Sequence, residues 1–148
     1  MLKRIREMKD QDGFTLIELM VVVLIIAILI AIAIPTFLGL RERAQNRSAT
    51  SDLRNGLTAA KAYYTDGDTF VGFDAAKGTE IEPSLTWGAA GNMTTVGIAF
   101  VDASNAVLTK QSASKDWFCA LDEAGVSSVR ATAAIATDVA TCKAGTVV

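Results

Sequence analysis

The chain has 148 residues, room for one compact domain and one membrane segment but not for two large cores. It has no histidine, so Ser–His–Asp and Cys–His catalysis are excluded and the commonest metal ligand is missing. Net charge is −2 and unevenly placed. Residues 36–64 hold five basic and two acidic side chains, residues 65–148 five basic and ten acidic, and no Lys/Arg-rich face suited to nucleic acid stands out.

The chain opens with a polar leader, MLKRIREMKDQDG, ending in Gly13. From Phe14 to Leu40 the sequence is almost wholly apolar and Glu18 is its one charge. A carboxylate inside such a run costs roughly 2.5–3.5 kcal/mol on insertion scales, so a partner for it is expected. As a helix the run spans about 40 Å, enough for a hydrocarbon core of about 30 Å. Pro35 removes one backbone donor within it and predicts a kink rather than an end, because helix-compatible sequence resumes afterwards. Past Arg41, Ala49, Leu53, Leu57, Ala60 and Tyr64 form an apolar stripe set against polar Arg47, Asp52, Arg54 and Lys61. One helix is predicted from about Phe14 to about Tyr64, roughly 75 Å long. Asp66-Gly67-Asp68 should stop it, with Gly67 as the C-terminal cap.

A Gly-rich connection follows from Thr69 to Asn92. Thr95–Val101 with Ala106–Lys110, and Lys115–Leu121 with Val126–Thr132, then read as two hairpins joined at Asp102–Asn105 and Asp122–Gly125. The expected fold is α+β: a long N-terminal helix packed on a small antiparallel sheet of about four strands. ATAAIATDVA in the tail fits strand or loop. Tyr63, Tyr64, Phe70, Phe73, Trp87, Trp117 and Phe118 read as core between helix and sheet. Cys119 and Cys142, outside any CxxC pair, read as one disulfide in an oxidising compartment, with two reduced buried thiols as the alternative. Asp66, Asp68 and Asp74 are discounted as a calcium site because Asp-Gly-Asp after a helix is mostly a turn, and Asn46-Arg47-Ser48 and Asn92-Met93-Thr94 are discounted as glycosylation sites. No metal and no cofactor is expected.

Three readings compete for the N-terminus. A cleaved secretory signal could use Ala31-Ile32-Ala33, but Glu18 interrupts its apolar stretch and the run continues well past Ala33. A plain signal anchor leaves Glu18 unexplained. The third reading rests on Gly13-Phe14-Thr15-Leu16-Ile17-Glu18-Leu19-Met20-Val21-Val22, which closely resembles the type IV pilin precursor signature, as does the run to Pro35. The resemblance implies cleavage after Gly13 by a prepilin peptidase, N-methylation of Phe14 and assembly into a helical filament. The parts are then a cytoplasmic leader (1–13), a transmembrane and assembly helix (14–40), its amphipathic continuation (41–64) and a globular head (65–148).

Cleavage would leave an ammonium at Phe14, and Glu18 of one subunit could pair with that amine on a neighbour. Such a pair adds little net stability but can set register. Lys3, Arg4, Arg6 and Lys9 favour a cytoplasmic leader by the positive-inside rule, yet Arg41, Arg43, Arg47 and Arg54 crowd the other flank, so the cysteines and the leader motif, not charge, put the head outside. The expected function is a non-enzymatic pilus subunit. Its expected partners are copies of itself, the peptidase and methyltransferase, an assembly machine with a cytoplasmic ATPase and a membrane platform, and the inner membrane before assembly. A pseudopilin of a type II secretion or DNA-uptake machine is the alternative, and a membrane-anchored extracellular binding module is the alternative of another class.

Overall fold

The computed structural model describes residues 13–123 and 125–148; the leader up to residue 12 and Ala124 lie outside the described residues. The first helix, α1, runs Leu16–Gly67 and contains Pro35. It is long and apolar enough to cross a membrane. The chain divides into two compact units, Met1–Leu40 and Arg41–Val148.

In the first unit every side chain from Phe14 to Leu40 is exposed. The helix continues through Pro35, whose missing N–H leaves the Ala31 carbonyl without its usual donor. One residue on, the Thr36 hydroxyl donates to the Ile32 carbonyl at 3.2 Å.

In the second unit the predicted stripe is the buried face of α1. Ala49, Leu53, Leu57 and Ala60 are buried, joined by Gly56 and Ala59, while Tyr64 is half-buried. Gly56 lets Leu108, Trp87 and Val96 approach the helix closely. The helix stops as expected, but the cap shifts by one residue. Asp68, not Gly67, takes the left-handed conformation (φ 51°), and its N–H donates to the Tyr64 carbonyl at 2.7 Å. Aspartate tolerates that conformation better than most residues, so the neighbouring glycine is not needed for it.

The connection is more ordered than its composition suggests. It holds a short helix, α2 (Ala75–Ile81), capped by the Asp74 carboxylate on the Lys77 N–H, and a two-residue strand, β1 (Trp87–Gly88). Gly78 of α2 lies against the Trp87 ring, where a methyl group would collide with the indole.

Among the described residues the sheet has six strands: the four expected ones form its centre, and a short strand is added at each edge. In chain order they are β1, β2 (Val96–Val101), β3 (Asn105–Gln111), β4 (Trp117–Glu123), β5 (Val126–Thr132) and β6 (Thr146–Val147), and each pairs with the next. All pairings are antiparallel except β1 with β2. The two extra strands sit at the edges and are two residues long, too short to leave a period-two signal. The first hairpin closes with Val101 facing Ala106, so its loop is Asp102–Asn105, as expected. The second loop is two residues long, because Glu123 faces Val126.

β3 and β4 are buried on both faces. On one face Ala106, Leu108, Phe118 and Ala120 pack with the α1 stripe, Phe70, Phe73 and Trp87. On the other, Val107, Cys119 and Leu121 pack with Ala136 and Cys142 of the tail, which also carries a third helix, α3 (Val139–Lys143). The central sheet is thus covered on one side by helix and on the other by the tail that the disulfide ties down.

Candidate assembly site

Glu18 lies in the first turn of α1. Its Oε2 accepts from the Thr15 N–H at 2.9 Å and the Thr15 hydroxyl at 2.7 Å, and the Glu18 N–H donates back to Thr15 Oγ1 at 3.3 Å. This is a reciprocal capping box, Thr15-Leu16-Ile17-Glu18, that satisfies two otherwise orphaned N–H groups. A negative charge at this end also complements the helix dipole. The T-x-x-E pattern before an apolar run is the local sequence signal for this cap. Phe14, 90% exposed, and Gly13 lie immediately before the helix. Glu18 is therefore held one turn from the peptide bond between Gly13 and Phe14, and both bonds to Thr15 use the same carboxylate oxygen. Downstream, Leu19–Leu40 carries no charge and offers an apolar surface suited to lipid or to like helices.

Cys119 of β4 and Cys142 of α3 form a disulfide with 5.9 Å between their Cα atoms, and both are fully buried. Asp138 caps α3 through the Thr141 N–H at 2.8 Å, and that N–H, then the Thr141 hydroxyl, holds its carboxyl below the usual aspartate range. Asp102 behaves likewise in the first hairpin loop. The Asn105 side chain, and then the Ser104 N–H, lower its pKa.

Two polar residues of α1 depart from a purely solvated role. Asp52 meets the buried ammonium of Lys110 at 3.4 Å, and Lys61 meets the buried carboxylate of Asp122 at 3.1 Å. Asp122 also accepts from Ser127 Oγ at 2.8 Å and the Gly125 N–H at 3.1 Å. These two ion pairs flank the apolar stripe and bind helix to sheet. Sequence reading missed them because Lys110 and Asp122 sit in strands whose pairing had first to be known.

The discounted motifs have structural work. Asp74 caps α2, Asn46 bonds to Asp116 and Ser114, and Asn92 accepts from the Thr94 and Thr95 N–H groups. Among the described residues no group of His, Cys, Asp and Glu side chains is arranged to hold a metal ion.

Residues 8–34 match the family described as the prokaryotic N-terminal methylation motif. The type IV wide pilus major component PilA4 of Thermus thermophilus is 31% identical over 122 residues, covering 80% of this chain and 88% of the relative. The type IV major pilin protein PilA of Myxococcus xanthus is 46% identical over 61 residues, 41% of this chain and 28% of the relative. The type II secretion system core protein G of Vibrio cholerae is 37% identical over 65 residues, 44% of each chain. Several matches therefore span less than half of the relative, while the Thermus match runs through most of the head. The chain belongs to the type IV pilin family, a family of structural, non-enzymatic proteins. Membership implies processing by a prepilin peptidase and polymerisation into a pilus.

Proposed function

We propose that this chain is the major structural subunit of a type IV pilus. The observation that carries the reading is the first half of α1: twenty-seven residues, Phe14–Leu40, with every side chain exposed and one carboxylate fixed in the opening turn. An apolar surface of that extent calls for lipid or for copies of itself. Before assembly the helix sits in the inner membrane with the disulfide-bearing head outside. Cleavage after Gly13 then frees the Phe14 amine, which is methylated. In the filament, apolar helices bundle, and Glu18 of each subunit takes the Phe14 ammonium of a neighbour. Inside a bundle a helix can slide along apolar neighbours at little cost, whereas an unpaired buried charge is expensive, so the pair sets the axial register. Extraction of the subunit from the membrane and its addition to the fibre are assigned to a cytoplasmic ATPase acting through a membrane platform.

The secretion-system relative, 37% identical over 65 residues, supports a second reading, a pseudopilus subunit confined to the envelope. The Thermus pilus component supports the first, because its match extends into the head. The test is electron microscopy of material sheared from the cell surface, with mass spectrometry of the fibres. Long thin fibres composed mainly of this chain are expected. Fibres that lack it, with the chain retained in the envelope, would favour the pseudopilus, and a chain found only as membrane monomer would favour an anchored binding module.

A further inference from the structure

A groove of about 550 Å³ opens beside α1, lined by Asn46, Arg47, Thr50 and Arg54 from the helix and by Trp117 and Thr132 from the sheet. Its charge is basic and underused. Arg47 is exposed and makes no ion pair among the described residues, and Arg54 makes one hydrogen bond, to the Val148 carbonyl at 3.2 Å. The groove's own acid, Asp116, is already engaged, accepting from Asn46 Nδ2 at 2.8 Å and Ser114 Oγ at 3.1 Å.

The opposite charge stands at the end of the same helix. Asp66 and Asp68 are exposed, flank Gly67, and make no ion pair among the described residues. The corner is held in shape by the Asp68 N–H on the Tyr64 carbonyl. The other ion pairs of this unit close within the chain: Asp52 with Lys110, Lys61 with Asp122, Lys77 with Glu80, and Lys143 with Glu123. Outside these four pairs stand a basic groove at one level of the helix and an acidic corner at another.

We propose that the Asp66-Gly67-Asp68 corner of one copy of this chain docks in the Arg47–Arg54–Trp117 groove of another. The two cannot meet within one molecule, because nineteen residues of helix separate Arg47 from Asp66, about 28 Å at the α-helical rise. Between copies, the same spacing displaces one head from the next by roughly 18–28 Å along the helix direction, the shorter figure applying when the corner reaches Arg54. Groove and corner are different surfaces, so the contact is heterologous and repeats without closing, as a fibre requires. The small Gly67 lets both carboxylates approach, and an Arg fork donates two parallel N–H bonds to a carboxylate in a planar geometry. The proposal rests on the filament reading and adds the head-to-head contact to it.

The test is charge exchange in the full-length chain, in cells whose unaltered chain makes filaments; if the unaltered chain makes none, it is the filament reading that falls. Filament yield from sheared cells is measured against the amount of subunit in the membrane. Arg47→Glu alone, and Asp66→Arg with Asp68→Arg, should each lower filament yield about tenfold or more while leaving the membrane level unchanged. The three substitutions together should restore yield to within about threefold of the unaltered chain. Where a reversal lowers the membrane level, the milder Arg47→Gln and Asp66→Asn supply the same comparison. Arg47→Cys combined with Asp66→Cys should cross-link copies into a ladder of multimers within intact fibres. Undiminished yield from the reversals, or losses with neither rescue nor cross-linking, would overturn the proposal; a loss confined to Arg47→Glu would instead assign that residue to anionic lipid.

Discussion

The two halves of α1 share a helix and almost nothing else. From Leu16 to Leu40 the helix is apolar on every side and buries no side chain, while from Arg41 to Gly67 it is amphipathic and buries a single stripe against a sheet. The first half cannot be satisfied by its own chain, whereas the second is completed by Phe70, Phe73, Trp87 and the central strands. Charge follows the same division. Glu18 in the first half caps its own helix end and has no cationic side chain among the described residues to pair with, while Asp52 and Lys61 in the second find buried opposite charges on the sheet. An all-round apolar helix with one charge is built to meet other molecules, and an amphipathic helix with paired charges is built to hold a domain together.

Breaking the first half should abolish fibres without unfolding the head, and this is the largest effect expected. Glu18→Gln is the sharper substitution, because glutamine still closes a capping box with Thr15 but carries no charge to pair with an amine. Membrane insertion should be unchanged or improved, and fibres counted by electron microscopy should nearly vanish. Normal fibre numbers from Glu18→Gln would reduce Glu18 to a helix cap. Breaking the second half should do the reverse. Leu53 is fully buried among the core aromatics and aliphatics, so Leu53→Ala should destabilise the head by about 4 kcal/mol, read by thermal unfolding of detergent-extracted subunit.

The disulfide gives a slightly smaller effect in the same region. It joins positions 23 residues apart, and removing that constraint should cost about 3 kcal/mol. Its loss should free the tail before the α1 face, because Cys142 belongs to the cluster on the far side of the sheet. Limited proteolysis after reduction should therefore cut first beyond Thr132, with the Leu16–Gly67 helix signal retained. The smallest effect is a pH dependence. The Asp138 carboxyl is held below its ordinary value, so its contribution is present above the unfolded aspartate pKa of about 3.9 and is lost as pH falls through the lower, folded value. Hydrogen exchange of the α3 amides should quicken only in that acid window, and Asp138→Asn should keep the cap while removing the pH dependence.

What could be read in advance follows from these physical differences. The long helix was legible because an apolar run and a stripe spaced by fours and threes are strong local signals, and β2 to β5 were legible because turn residues bracket them. β1 and β6 were hidden by their length. Helix α2 escaped notice because its AAKGTEI sequence carries an internal glycine, and α3 because VATCK is only five residues long. The burial of Lys110 and Asp122 depends on cross-strand pairing and on the packing of α1, so it is invisible to any window of sequence. Gly13, Phe14 and Glu18 were conspicuous for the opposite reason: they lie within five residues of each other. The capping role of Glu18 was equally local, and was passed over in favour of its cost in the membrane.

On the proposed reading, the exposed half of α1 becomes an assembly element only after the leader is removed at the Gly13–Phe14 bond. The most direct measurement is N-terminal sequencing and intact-mass analysis of the chain recovered from sheared fibres. The recovered chain should begin at Phe14 and carry one methyl group on its α-amine. A chain in those fibres that begins at Met1, or one cut after Ala33 and so lacking Glu18, would contradict that reading.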